Sequence, residues 1–263
     1  MARVLFRVWR IMDLVMRALA LRCAVLGAAL GAAACGDTFD VAGDDCVAVR
    51  FSGEQLIEVP DAPDFDLAAP LTIEFRMNLD VVDGEMHVLS HHDYPESGYQ
   101  LGVHNQDVDF RLYNVEGRWL GQGSVTPGQW HHLAAEWDGA GYWLYLDGSL
   151  VADGDVGWWP ADYAGPFRIG AASYGEAFFF KGLVDEVRIS RGLRYLNEFD
   201  VTAEPLVVDD NTIALWHFGD DEGQVVKDAT GNHDGVLGTS AATRPDDPVH
   251  EGDHCLAPIM PAP

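Results

Sequence analysis

Between residues 129 and 151 the chain reads Gln129-Trp-His-His-Leu-Ala-Ala-Glu-Trp137, Asp138-Gly139, Tyr142-Trp-Leu-Tyr-Leu146, Asp147-Gly148 and Leu150-Val151. Asp-Gly supplies the positive φ angles of tight hairpin turns, so two successive hairpins are predicted here. A meander of this kind needs a second apolar layer to cover its buried face, which directs the rest of the chain towards a sandwich or barrel. From Cys46 onward, short apolar runs do alternate with Gly, Pro, Asn and Asp, and no amphipathic helix longer than about two turns stands out. In Leu71-Thr-Ile-Glu-Phe-Arg-Met77, Leu71, Ile73, Phe75 and Met77 take one face and Thr72, Glu74 and Arg76 the other. Asp107 to Tyr113 repeats the rule with Val108, Phe110 and Leu112 inward, so both segments read as half-buried antiparallel strands. Residues 194–199 are expected to form the one short helix.

Several stretches, taken in order, resemble the laminin-G-like, concanavalin A-like jelly-roll superfamily. They are Val49-Arg-Phe-Ser-Gly53 with Ile57-Glu-Val-Pro60, Leu71-Thr-Ile-Glu-Phe75, and Pro127-Gly-Gln-Trp-His-His-Leu-Ala134 with Leu144-Tyr-Leu-Asp-Gly148. Phe167-Arg-Ile-Gly170 and Phe180-Lys-Gly-Leu-Val-Asp-Glu-Val-Arg-Ile189 continue the series. The resemblance implies an all-β, antiparallel two-sheet jelly-roll β-sandwich over residues 46–203, with function carried by its rim loops. Thr212-Ile-Ala-Leu-Trp-His-Phe218 and Lys227 to Gly235 look like a segment that often flanks these domains in bacterial surface proteins. Residues 204–255 are therefore read as a further strand and a long turn packed on the same sandwich, followed by a tail, 256–263.

Residues 1–34 show an Arg-bearing start and then an uncharged apolar run from Cys23 to Ala34, the order of a secretory signal and too short to span a bilayer comfortably. A second start at Met16 would give a more compact leader. Ala32-Ala33-Ala34-Cys35-Gly36 resembles the lipobox of bacterial lipoproteins, with Ala32 where that family usually has Leu. The resemblance implies a lipidated Cys35, a tether over 35–45, and a place on the outer membrane or cell surface held through the lipid anchor only, with more than one acyl chain to make it stable. The alternative is a soluble secreted protein cut after Ala34. Cys23 leaves with the leader, which strands Cys46 and Cys255 at the two ends of the domain; in an oxidising compartment they read as a disulfide.

The formal net charge is -26, and removing a leader with five arginines and one aspartate leaves -30. Lys181 and Lys227 are the only lysines, so phosphate-rich nucleic acid is excluded as a partner.

Asp185, in Leu183-Val-Asp-Glu-Val-Arg-Ile189, reads as sharing the face of Leu183, Val187 and Ile189, where a carboxylate must be paired, hydrogen-bonded or metal-bound. Laminin-G-like and pentraxin-like relatives often hold calcium, so the resemblance implies calcium as a cofactor with Asp185 as a ligand; a carboxylate held by backbone N–H groups or an arginine is the other reading. Trp158, Trp159 and Tyr163 lie in a Gly- and Asp-rich stretch and are candidates for stacking on a sugar or a protein, or else for loop packing. Phe178 and Phe180 are expected to point inward. The turn from Asp228 to Gly235 presents oxygens at alternate positions but lacks the glycine placement and terminal glutamate of a calcium loop, and reads as an Asx-rich turn. His91-His92 and His131-His132 point to opposite faces of their strands and so make no shared metal site.

Glycoside hydrolysis needs two carboxylates across the cleaved bond, but Asp185 and Glu186 are adjacent and expected on opposite faces, while Asp107 and Asp109 read as a solvated edge beside Arg111. No nucleophile elbow, metalloprotease motif or phosphate loop is present. The expectation is a non-catalytic surface module that binds a glycan or an extracellular protein. A structural or adhesion coat protein without a discrete ligand is the alternative, and a glycoside hydrolase-like enzyme the more distant one.

Overall fold

The computed structural model describes residues 47–252 apart from 67–69, 114–117, 120, 122, 157–159, 176, 220–222, 240–244 and 246. Apart from a 3-10 turn at Pro63–Phe65, the regular elements are strands, in two antiparallel sheets. Sheet one contains β1 (Ala48–Ser52), β3 (Leu71–Leu79), β8 (Trp130–Trp137), β9 (Gly141–Leu146), β10 (Ser149–Asp155), β12 (Lys181–Arg191), β13 (Thr212–Trp216) and β16 (Val249–Glu251). Its order is β10-β9-β8-β3-β12-β1-β16, and β13 lies along β12 beyond the end of β1. Sheet two contains β2 (Ile57–Val59), β4 (Glu85–Asp93), β5 (Ser97–His104), β6 (Asp107–Leu112), β7 (Arg118–Trp119), β11 (Phe167–Ile169), β14 (Val225–Val226) and β15 (Gly235–Leu237). Its order is β14-β15-β2-β11-β4-β5-β6-β7.

The Asp-Gly turns sit where the sequence puts them. Asp138 caps the β8–β9 turn by accepting the N–H groups of Ala140 and Gly141 at 2.9 and 2.7 Å. At the β9–β10 turn Asp147 and Gly148 have φ of 52° and 80°, the two positive angles of a primed turn whose twist matches the flanking strands. Asp147 is further fixed by His131 Nδ1 at 2.7 Å and by the N–H of His132 at 2.8 Å. Residues 228–234 form a carboxylate-centred turn in which buried Asp228 accepts the N–H groups of Leu215, Thr230, Asn232 and His233, so backbone N–H groups fill its oxygens.

Inward side chains of both sheets form one core, including Ile73, Phe75, Met77, Leu133 and Ile189 against Leu101, Val103, Phe110 and Phe167. Phe167 stacks on Trp216 at 5.8 Å, which ties the later strand β13 into the same core.

β3 departs from the half-buried expectation. Thr72, Glu74 and Arg76, on its outer face, are as buried as its apolar residues, because the segment after β12, residues 192–211, lies across that face. Arg76 donates to the carbonyls of Thr202 and Glu204, both at 2.8 Å, and Tyr145 donates to the carbonyl of Tyr195 at 3.1 Å. Residues 194–199, expected as a short helix, are bends instead, because their polar groups are engaged across the sheet. The N–H groups of Arg194 and Tyr195 point to the Glu136 carboxylate at 2.6 and 2.8 Å, and Arg194 pairs with Asp209. Among the described residues no helix is long and apolar enough to cross a membrane.

Candidate functional site

The residues singled out from the sequence fall in different places. Trp158 and Trp159 lie outside the described residues, as do Cys35, Cys46 and Cys255. Tyr163 is half-buried, with its ring edge-on to His91 at 5.2 Å and its hydroxyl donating to the carbonyl of Ser173 at 3.3 Å.

Asp185 does not share a face with Val187 and Ile189. An extra residue in β12 opposite β3, with Glu186 at φ 53°, shifts the alternation there. Asp185 therefore stands opposite Arg76 on the outer face of sheet one, Val187 and Ile189 join the core, and Asp185 and Glu186 are both buried. Asp185 accepts the N–H of Glu186 at 2.8 Å, and burial together with the Glu186 charge pushes its carboxyl up to about 8. The Asp185 carboxyl thus accepts a backbone N–H and stands opposite a guanidinium, and among the described residues there is no group of three or more His, Cys, Asp or Glu side chains that could hold a metal ion.

The outer face of sheet two differs from what alternation alone suggests, and it carries the candidate site. β4 also has an extra residue, between His87 and Leu89, so that His87 shares the outer face with Ser90 and His92. Across β5 and β6 this face continues through Gln100, Asp109 and Arg111, while Tyr99, Leu101, Val108 and Phe110 face the core. Asp109, expected to be solvated, is fully buried: Gln100 donates to it at 3.0 Å and Arg111 at 2.9 Å. Burial raises its carboxyl to about 6, against the pull of Arg111. Arg111 also reaches Glu85 at 2.8 Å, and Tyr113 donates to Gln100 at 3.0 Å. Glu85 is raised by partial burial, but the His87 hydrogen bond and the charge of Arg111 outweigh this and take it down to about 2.

Over this network lies a set of rings. His92 stacks on Tyr113 at 4.7 Å, Tyr174 meets His92 edge-on at 4.9 Å, Tyr94 stacks against Tyr174 at 6.0 Å, and Phe178 stacks on His87 at 4.9 Å. The histidines and Tyr113 are buried beneath, whereas Tyr94 is 56% and Phe178 38% exposed. Phe178, expected to point inward, is thus turned out, and Phe180 is buried in the core. Phe178 has φ 52°, an unfavourable left-handed conformation for a bulky residue, and its carbonyl accepts the N–H of His87 at 2.8 Å. Strain of about 1–3 kcal/mol of this kind persists where the surroundings hold it, and it clusters at functional sites. Ser173 links the loop to the shelf: its hydroxyl donates to the carbonyl of His92 at 2.8 Å and accepts the N–H of the same residue at 2.7 Å. Because Ser173 also accepts the hydroxyl of Tyr163, that residue flanks the shelf. Tyr94, Tyr113, His87 and His92 were not singled out as ligand contacts; the available signal was aromatic residues flanking turns beside an outward Gln100.

A second concavity, about 280 Å³ between the β9–β10 turn and residues 198–200, is lined by Asp147, Glu198, Phe199 and Asp200. Asp147 is already committed to His131 and His132, so this cleft offers no comparable set of prepared groups.

Two antiparallel sheets with a meander and a shared core define a jelly-roll sandwich, here with one outer face covered and the other bearing an aromatic shelf. The family model of the concanavalin A-like lectin/glucanases superfamily matches residues 51–200, and the chain belongs to that superfamily. No curated protein sequence matches the chain. Among solved structures, it is similar to a candidate carbohydrate-binding protein from Bacteroides ovatus, with 19% identity and a TM-score of 0.62, covering 82% of this chain and 61% of that one. It thus spans 61% of the length of that relative. The sialidase CBM40 module of Ruminococcus gnavus, bound to α2,3-sialyllactose, matches with 16% identity and a TM-score of 0.49, covering 56% of this chain and 91% of that one. Mouse laminin α1 domains LG4-5 match with 16% identity and a TM-score of 0.46, covering 59% and 44%. At these identities the likeness is one of fold.

Proposed function

We propose that the chain is a non-catalytic glycan-binding module of the cell surface and that the sugar lies on the shelf over β4, β5 and β6. The observation that carries this reading is the pairing of the exposed rings of Tyr94 and Phe178 and the half-buried ring of Tyr174 with a fixed polar network beneath them. A pyranose has one apolar C–H face and a rim of hydroxyls; aromatic rings cover the first and ordered acceptors bind the second. Tyr163 is then a flanking contact, and Trp158 and Trp159 belong to the same loop in sequence.

The anchor and the crosslink belong to the same reading. A lipid on Cys35 would present the sandwich at the surface, and a Cys46–Cys255 disulfide would lock it closed. Supporting the disulfide, β1 and β16 pair with Ala48 opposite Glu251, only two and four residues in sequence from the respective cysteines. Arg50 already bridges these strands to Glu251 at 3.0 Å.

A glycan array and titration calorimetry on the wild-type protein and a Tyr94→Ala/Tyr174→Ala double variant test the central proposal. Binding by the wild type that falls at least roughly tenfold in the variant is expected, since stacking contacts dominate such sites. Absence of glycan binding by a folded wild-type protein would overturn it and favour the structural or adhesion coat. Intact mass of the non-reduced mature protein tests the crosslink and lipid together.

A further inference from the structure

The charges around the shelf bear on the kind of sugar it takes. Resting on the glycan-binding reading above, we propose that the shelf selects uncharged glycans and rejects acidic ones, because its described arginines are already paired with carboxylates and the carboxylates outnumber them.

Recognition of a carboxylate or sulfate requires a cation with donors to spare, typically a forked guanidinium. Two described arginine side chains serve this face of sheet two. Arg111 directs Nε to Asp109 at 2.9 Å, Nη1 to Glu85 at 2.8 Å and Nη2 to His104 Nδ1 at 3.4 Å. Arg168, on β11, directs Nε and Nη2 to Glu58 at 3.1 and 2.9 Å and Nη1 to the carbonyls of Ala172 and Gly175 at 3.0 and 2.8 Å. Every guanidinium nitrogen of the pair is engaged. Three carboxylates, Glu58, Glu85 and Asp109, stand against these two cations, with exposed Asp93 and Asp107 at the margins. An incoming anion would meet an excess of negative charge within a chain whose formal net charge is -26.

The histidines add acceptors rather than cations. His87 Nε2 donates to Glu85 at 3.0 Å, which leaves Nδ1 as a lone pair, buried and without a hydrogen-bond partner. The Ser173 hydroxyl gives its proton to the carbonyl of His92, so His92 Nδ1 donates to Ser173 at 3.2 Å and Nε2 is likewise a buried lone pair without a partner. Burial holds both rings in the neutral form. His87 stacks under Phe178 and His92 meets Tyr174 edge-on, so neither neutral ring presents a positive charge to an incoming anion. An uncharged sugar is indifferent to the excess of negative charge at the shelf, whereas a carboxylate or sulfate is repelled by it.

The test uses the full-length protein at neutral pH with two sets of probes: uncharged malto-, cello-, manno- and xylo-oligosaccharides, and 3′-sialyllactose, oligogalacturonate and a sulfated disaccharide. The expected result is binding of at least one uncharged probe, altered by less than about twofold between low and high NaCl, and roughly tenfold or weaker binding of every acidic one. In Glu85→Gln, Arg111 loses one carboxylate partner, and discrimination against the acidic probes should narrow about fivefold. An acidic probe that binds the wild type as well as the uncharged ones do, with salt sensitivity and loss in Tyr94→Ala, would overturn charge selection while leaving the glycan reading intact. Failure of both probe sets on a folded protein would overturn that reading, and this inference with it. The salt series on the wild type keeps the test valid even if Glu85→Gln fails to fold.

Discussion

Both outer faces of the sandwich carry charged and aromatic side chains, but the polypeptide covers only one of them. On sheet one, residues 192–211 lie over Glu74, Arg76, Glu136, Asp185 and Arg188, with backbone groups of that segment meeting Arg76 and Glu136, and Glu74 paired with Arg188. Glu74 accepts from Arg188 at 2.6 Å, His132 at 3.1 Å and Tyr195 at 2.6 Å. Its burial raises the carboxyl, but the His132 hydrogen bond and the neighbouring cationic charges outweigh this and take it down to about 2. On sheet two the same kinds of residue are built into a network whose top layer, Tyr94 and Phe178, still faces solvent. A covered network of this kind can set which conformation the segment over sheet one adopts, although its net stability is modest. An uncovered one keeps its hydrogen-bonding order for a ligand. The difference lies in whether a chain segment or a ligand completes the layer.

Three substitutions would break or sharpen this contrast. The largest effect is expected on the covered face. Glu74→Gln leaves Arg188 buried without its anion, at a cost of about 3–5 kcal/mol, which lowers the melting temperature by on the order of 10 °C. Glycan binding by the protein that remains folded should be unchanged, and loss of binding in folded Glu74→Gln protein would show the two faces to be coupled.

An intermediate effect belongs to the histidines of the open face. Burial, helped by the charge of Arg111, holds His92 down to about 2 from an ordinary 6.5. Below pH 6.5 the unfolded chain therefore takes up a proton that the folded chain refuses, and stability present above that pH is lost as the pH falls. Between pH 6.5 and 5 the loss from this one group is about 2 kcal/mol. The raised carboxyl of Asp109, ordinarily 3.8 and here about 6, works in the opposite sense. Thermal melts at pH 7 and pH 5 should therefore differ less in His92→Gln than in the wild type; an equal or larger difference would mean that acid lability arises elsewhere.

The smallest change in stability is expected for Tyr94→Ala. Its ring is 56% exposed, so unfolding free energy should move by about 0.5 kcal/mol or less. Affinity, by contrast, should fall markedly. A large loss of stability without loss of binding would assign Tyr94 to packing rather than to the ligand.

The strands that alternate without interruption, such as β6 and the inward residues of β3, could be placed from residue type alone, as could the two Asp-Gly turns, because these depend on neighbours in sequence. The candidate site was less legible. One extra residue in β4 puts His87 on the same face as His92, and one in β12 separates Asp185 from Val187 and Ile189. A period of two has no means of announcing such a shift. Asp109 looked solvated because alternation distinguishes the two faces of a sheet but not what lies above the outer one.

By itself, then, the sequence determined the all-β class, the turns and most of the core, since hydrophobic alternation and the backbone preferences of Asp-Gly act over a few residues. Only the tertiary structure decided which outer face is sealed by residues 192–211 and which collects Tyr94, Tyr113, Tyr174 and Phe178 over Gln100, Asp109 and Arg111. Those residues come from separate segments of the chain, and their meeting depends on strand register, two bulges and the path of loops, none of which a local pattern encodes.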